Sequence, residues 1–305
     1  MMKKRMEMGA TTYANLDPAE SRVVLAENAK PFRKPPERVG RVRDQKIPGP
    51  GGDIGVRIRW PKDDGTFPAL LFFHGGGWFA GTLDDTDEVC ARLTNHAKVV
   101  VISVDYRLAP ENRFPAALED CYTAAVWTMQ NARPLGIDPT RLAVGGSSAG
   151  ANLAATLCLK VRDQGGPSIA RQVLVCPVTD MTRDLSKYDG KEFGPTNLEM
   201  QWSYQNYLNR REDASNPFAS PLLADLRRLP PATMITAQYD TLAEQASDYA
   251  RKLRKAGVRV KKREYRGMVH GFFNMPGYFD SSREALDWVA IELGRTRPSP
   301  SKERK

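Results

Sequence analysis

The sequence predicts an α/β fold built on a mostly parallel sheet, and two features carry that expectation. Short apolar, β-branched runs alternate along the chain with stretches of helical length, the pattern of parallel strands joined by right-handed crossovers. The apolar run Leu142–Gly146 also ends in small residues and passes at once into a helical pattern starting at Ala149. The chain of 305 residues can hold one large α/β domain with an accessory cap, or two modest domains. Its 41% hydrophobic and 27% charged residues place it among ordinary soluble globular proteins.

Taken in order, residues 1–45 carry one short helical pattern, Pro18–Ala29. Met6, Met8, Tyr13 and Phe32 add apolar surface to a segment too short to fold alone, so it is expected to pack on the rest. Ile54–Trp60 alternates as a strand and Pro61–Gly65 is a turn. Ala69–Phe73 is a buried-type run that stops at His74-Gly75-Gly76-Gly77-Trp78. A helix over Asp85–Ala97 leads to Lys98–Asp105, the strongest strand, with five β-branched residues. Pro115–Asn131 is a helix that opens with proline. The strand Leu142–Gly146 and the helix Ala149–Val161 follow. Gln172–Cys176, Pro231–Asp240 and Val258–Tyr265 are the later strands, with helices over Leu242–Ala256 and Ser282–Leu293.

One stretch breaks this rhythm. Met181–Pro221 is polar and loop-rich, and its one clear helix, Asn197–Leu208, carries Leu198, Met200, Trp202, Tyr204 and Tyr207. That helix is too aromatic to be a plain solvated one. It is either a cover placed over something or an extra helix packed on the domain surface. Pro298–Lys305 is expected to be a disordered tail.

The net charge of +9 lies largely in Met1–Arg43, Arg251–Arg266 and Arg295–Lys305. The middle block has no interleaved aromatic platform apart from Tyr265, so it is expected to be a basic solvated surface and no nucleic-acid partner is implied. The four cysteines, Cys90, Cys121, Cys158 and Cys176, form no CxxC pair and lie near no histidine cluster. Buried free thiols are expected from that spacing, and no metal. Lys3, Lys4 and Arg5 are followed by Glu7 and a polar run rather than by an apolar core. Neither a signal peptide nor a membrane span is implied, and a cytoplasmic setting is the simplest expectation.

The chemistry concentrates at Gly146-Ser147-Ser148-Ala149-Gly150, which fits G-x-S-x-G, the nucleophile elbow of an α/β-hydrolase. A serine on a sharp strand-to-helix turn is strained, and glycine two residues to either side removes the clash. The helix behind it turns free N–H groups and a positive dipole end toward developing negative charge. Such a serine needs a base, an orienting acid and an oxyanion hole. Of three histidines, only His270 lies after Ser148, as the order serine, acid, histidine requires. His96 reads as surface or structural. Asp240, which ends its strand just before a helix, is the preferred acid, with Asp180 and Glu244 as competitors and a plain N-cap as its bland role. His74-Gly75-Gly76-Gly77 follows a strand and fits an oxyanion loop, making the N–H groups of Gly76, Gly77 and Ala149 the expected donors. No phosphate-binding GK[ST] follows these glycines.

Taken together, these motifs resemble the hormone-sensitive-lipase-type (bacterial family IV) carboxylesterases. The matching stretches are His74–Trp78, Asp105–Glu111, Phe114–Asp120, the Ser148 elbow, Tyr239–Leu242 and His270–Phe272, in order between Pro68 and Trp288. The resemblance implies an eight-stranded α/β-hydrolase sheet and a cap made from residues 1–45 and an insertion at 181–221. Residues 46–180 and 222–297 would then form the catalytic domain. It also implies hydrolysis of short- to medium-chain acyl esters through an acyl-enzyme, without cofactor or metal. Two elbow positions depart from the family, which usually has Asp where Ser147 stands and Gly where Ala151 stands. Its D-P-L-R-D junction reads Asp240-Thr241-Leu242-Ala243-Glu244 here.

An amidase or deacetylase could use the same triad. A non-catalytic ligand receptor on this scaffold is the other alternative, against which the presence of His270 counts, because the plant gibberellin receptors lack that histidine. Candidate pocket residues are Trp78, Phe79, Met200, Trp202, Tyr204, Tyr207 and Phe272. The resemblance also raises a homodimer through the last strand, where Arg259, Lys261, Lys262 and Arg263 look like edge-blunting charges that oppose simple strand pairing.

Overall fold

The long apolar runs of the sequence are strands buried on both faces. In the computed structural model, which describes residues 13, 14, 16–188 and 194–295, strand β3 (Phe67–Phe73) sends Leu70 and Phe72 into one core layer. Its Ala69, Leu71 and Phe73 enter the other. Strand β4 (Val100–Asp105) divides its residues the same way, Val101 to one layer and Val100, Ile102 and Val104 to the other. Such strands read as continuous apolar runs because water meets neither face.

The other strands are β1 (Arg41–Ile47), β2 (Ile54–Trp60), β5 (Ile137–Ser147), β6 (Ile169–Val175), β7 (Ala232–Tyr239) and β8 (Val260–Val269). The eight form one sheet in the order β1-β2-β4-β3-β5-β6-β7-β8. β2 runs antiparallel to β1 and β4, and all remaining pairs are parallel. Helix α1 (Pro18–Ala29) precedes the sheet. Helices α3 (Ala116–Gln130), α4 (Ala149–Gln164) and α6 (Ala243–Lys255) bury their apolar stripes in one layer. Helices α2 (Asp87–Ala97) and α7 (Asp280–Gly294) do so in the other. A small third cluster of Ala14, Phe79, Ala80 and Trp202, with Tyr13 and Leu25 against it, ties the N-terminal segment to α5 (Asn197–Tyr207).

Local chemistry sets several boundaries. Asp17 caps α1, its carboxylate accepting from the N–H groups of Ala19 at 2.8 Å and Glu20 at 3.1 Å. Thr196 and Glu199 form a reciprocal capping box at the start of α5. α2 stops where Lys98 takes a left-handed φ of 52°.

The structure corrects the sequence expectation in three places. β1 was not anticipated, and the sheet therefore begins at Arg41, within the segment assigned to the N-terminal part of a cap. β5 starts at Ile137 rather than Leu142, and β8 continues to Val269, directly before His270. The expected tail at 298–305 and the apolar Met6 and Met8 lie outside the described residues. All four cysteines are buried and unpaired. Among the described residues, no helix is long and apolar enough to cross a membrane.

Candidate active site

Ser148 stands between β5 and α4 with φ 55° and ψ −119°, outside the wells that ordinary residues occupy. Its N–H donates to Val175 O at 2.8 Å and its carbonyl accepts from Asn152 N at 3.1 Å, so strand and helix together hold the turn. The two glycines of the motif are explained by what lies across them. A Cβ on Gly146 would fall 2.4 Å from Phe73 O, and one on Gly150 only 2.0 Å from the same oxygen. The end of β3 therefore crosses the elbow where only hydrogen atoms fit. At the departures from the family pattern, Ala151 is fully buried and Ser147 is 4% exposed. The Ser147 hydroxyl accepts a hydrogen bond from Asn274 Nδ2 at 3.3 Å.

Asp240 follows β7 and His270 follows β8. The Asp240 carboxylate is fully buried. Its Oδ1 accepts from Leu242 N at 2.9 Å, and its Oδ2 lies 2.9 Å from His270 Nδ1. Burial by itself would push the imidazole down. The charge and hydrogen bond of Asp240, with the charge of Glu199, outweigh it and hold His270 above the ordinary histidine value. The competing acids are engaged elsewhere: Asp180 Oδ1 accepts from Thr182 N at 3.0 Å, and Glu244 pairs with Lys187. His96 sits 3.1 Å from Asp287, away from this cluster. His74 is buried, stacked 4.2 Å from Tyr106, with its Nδ1 2.7 Å from Gly75 O. Burial pushes it below the ordinary histidine value.

The glycine loop lies beside the elbow, close enough that a Cβ on Gly75 would come within 3.5 Å of Ser148 Cβ. Gly76 (φ 110°) turns the chain so that its carbonyl accepts from Phe79 N at 3.1 Å and Ala80 N at 2.9 Å. Among the described residues, the N–H groups of Gly76, Gly77 and Ala149 donate to no protein acceptor. From the other side Arg22 of α1 clamps this loop. Its Nε donates to Phe79 O at 2.7 Å and its Nη2 to Ala109 O at 2.9 Å, while the guanidinium pairs with Glu111.

These groups open onto a cavity of about 240 Å³ lined by Ser148, His270, Gly76, Gly77, Trp78, Phe79 and Met200, among others. The Ser148 hydroxyl is not hydrogen-bonded to His270 among the described residues, although both border this cavity. Of the expected pocket residues, three stand behind the lining. Tyr207 stacks on Trp78 at 4.5 Å, Tyr204 lies 6.1 Å from Trp78, and Trp202 meets Phe79 edge-on at 4.6 Å. Phe272 is a correction, since it is fully buried in the core layer under α2 and α7, against Tyr265, and its neighbour Phe273 of the same layer lines the cavity instead. Tyr13, Leu25, Cys176, Gly194, Pro195, Glu199 and Asn274 also line it and were not anticipated there. The capping-box spacing of Thr196 and Glu199 was a readable signal for one of them, whereas Cys176 and Asn274 carry none.

A serine elbow, a histidine–aspartate pair and a glycine loop on this strand order define an α/β-hydrolase. The chain belongs to the Abhydrolase_3 family, described as the alpha/beta hydrolase fold, whose family model it matches over residues 70–274. It is 42% identical over 244 residues to the carboxylic ester hydrolase LipN of Mycobacterium tuberculosis, a match spanning 77% of this chain and 65% of LipN. It is 37% identical over 246 residues to an arylesterase of Saccharolobus solfataricus, covering 79% of this chain and 80% of that one. Its structure is similar to EstE1, a thermostable carboxylesterase cloned from a metagenomic library. The TM-score is 0.88 at 40% identity, with 93% of this chain and 99% of that one covered. The resemblance to hormone-sensitive-lipase-type carboxylesterases is borne out.

Proposed function

We propose that the protein is a serine carboxylesterase acting on short- to medium-chain acyl esters. One observation carries this: the strained Ser148, the Asp240–His270 pair and the unpaired N–H groups of the glycine loop converge on one cavity. Ser148 attacks the ester carbonyl as His270 Nε2 takes its proton. Asp240 keeps the other ring proton on Nδ1 and stabilises the imidazolium. The N–H groups of Gly76, Gly77 and Ala149 receive the oxyanion, each donor worth about 3 kcal/mol in the transition state. His270 then protonates the leaving alcohol and activates water to release the acid. The relatives, named as ester hydrolases and an arylesterase, favour esters over amides as the substrate class.

A cavity of about 240 Å³ is smaller than the roughly 300–1,000 Å³ that accommodates drug-sized ligands, which supports short acyl chains. The N-terminal segment and the stretch around α5 form the cap over it, joined through Tyr13, Phe79 and Trp202. Unpaired buried thiols suit the cytoplasm. For the homodimer, β8 leaves the outer edge of the sheet open with Lys261 and Arg263 exposed. Sedimentation at several concentrations tests pairing there, and a constant monomer mass excludes it.

The deciding experiment is hydrolysis of p-nitrophenyl esters from acetate to palmitate by wild type and Ser148→Ala. Turnover peaking at short or middle chains and lost in the folded variant supports the proposal. Activity retained in Ser148→Ala refutes the nucleophile.

A further inference from the structure

Ester hydrolysis leaves Cys176 unused, although it sits against the machinery. It follows β6 with φ 46°, is held there by a hydrogen bond from its N–H to Ile235 O at 2.9 Å, and borders the catalytic cavity. Its sulfur, a carboxylate oxygen of Asp240 and a ring nitrogen of His270 all lie within 4.8 Å of one another. The nitrogen facing the carboxylate is Nδ1, 2.9 Å from Oδ2. Three strand ends, β6, β7 and β8, thus assemble a thiol, a carboxylate and an imidazole that are widely separated in sequence.

This donor set suits a borderline-soft cation. Tetrahedral zinc bonds sulfur at about 2.3 Å and nitrogen or oxygen at about 2.0–2.2 Å, so its donors stand roughly 3.3–3.6 Å apart. Opening the 2.9 Å contact slightly and drawing the sulfur in by at most about 1.5 Å would reach that geometry.

We propose that Cys176, Asp240 and His270 form an inhibitory site for a thiophilic divalent cation, probed with Zn²⁺. On binding, the thiol releases its proton to solvent, and metal bonds form to sulfur, to Asp240 oxygen and to His270 Nδ1. The proton displaced from Nδ1 is carried by Nε2, and nothing is oxidised or reduced. Nε2 is the atom that must accept the Ser148 proton, so an imidazole metallated at Nδ1 cannot act as the base. The inhibition rests on the proposed role of His270, whereas the binding does not.

The test combines Zn²⁺ titration of ester hydrolysis with Co²⁺ as a spectroscopic probe. The proteins are wild type, Cys176→Ala and the volume-conserving Cys176→Ser, each rate being referred to the same protein without metal, and Ser148→Ala, followed by the cobalt band alone. Expected are at least a tenfold loss of wild-type turnover, restored by EDTA, and a one-to-one thiolate-to-cobalt charge-transfer band in wild type and Ser148→Ala. Both effects should vanish in the cysteine variants. No band in wild type, or equal inhibition in a cysteine variant, overturns the site. A band with undiminished turnover overturns the inhibition and points to a failed base assignment, while metal binding stands. If Cys176→Ala folds poorly, the volume-conserving Cys176→Ser decides.

Discussion

The strain at Ser148 is tolerated because Gly146 and Gly150, two residues to either side, have no side chains to add to it. The Phe73 carbonyl occupies the space a methyl group on Gly150 would need, at 2.0 Å, and backbone cannot yield as a flexible side chain can. Gly150→Ala is therefore expected to displace the elbow or the glycine loop and to lower kcat at least a hundredfold. Thermal melting alongside separates a misplaced serine from an unfolded chain. For His270 the sign follows from its proposed role: as a base it must be neutral, and Asp240 holds its pKa above the ordinary value of about 6.5. The acid limb of kcat/KM should accordingly fall above that pH, activity being present at higher pH and lost as pH drops through the raised pKa. Asp240→Asn removes the charge that raises it and leaves the burial that lowers it. That variant should move the limb to lower pH while cutting kcat by about 10⁴ through the wrong tautomer. An unmoved limb would break the assignment of Asp240 as the partner.

Helix α1 contributes no group to the proposed acyl transfer, yet Arg22 carries it onto the loop that does. The Phe79 carbonyl it binds lies in the turn that closes on Gly76. Glu111 is 57% exposed, so the ion pair itself is worth little, and the bonds to the Phe79 and Ala109 carbonyls carry the effect. Arg22→Ala should lower stability by about 1–2 kcal/mol and kcat by about tenfold with KM nearly constant, whereas Glu111→Gln should spare both. Equal losses in the two variants would place the effect in the salt bridge instead. None of this was visible in the sequence, because Pro18–Ala29 announces a helix and a cap but not the surface it meets. Strands buried on both faces, such as β3 and β4, were readable from composition alone. β1 was not, since its Arg41, Val42, Arg43 and Asp44 are all exposed and its pairing depends on partners across the sheet. Arg41 stacks 3.8 Å over Trp60, and Asp44 bonds Arg57 at 2.7 Å. The candidate triad and the glycine loop stood out in the sequence because strand–turn–helix chemistry leaves local marks. Cys176, Gly194 and Asn274 reach the cavity only through tertiary packing, and Phe272 was misassigned because the 3-10 turn Phe272–Asn274 buries it wholly in a core layer, from which its neighbour Phe273 reaches the cavity instead.

The chemistry gathers where the sheet order sends it. His74, Ser148, Cys176, Asp240 and His270 each stand just beyond the end of a parallel strand, β3, β5, β6, β7 and β8 in turn. Ligands of open α/β sheets bind at such carboxyl ends. The site's geometry should then depend on strand order and register more than on any one core side chain. Leu70 and Leu71 are adjacent on β3, fully buried, and enter opposite layers. Each Leu→Ala change opens a cavity costing about 2–5 kcal/mol, which should lower Tm by roughly 5–15 °C. Because both layers share the sheet, the two losses should be similar and should appear in one melting transition rather than two. At 25 °C, well below either transition, kcat/KM for a short ester should stay within about threefold of wild type, since β3 keeps its hydrogen bonds to β4 and β5. A rate collapse in one variant but not the other would show that the layer behind that leucine, and not the sheet, holds the glycine loop in register with Ser148.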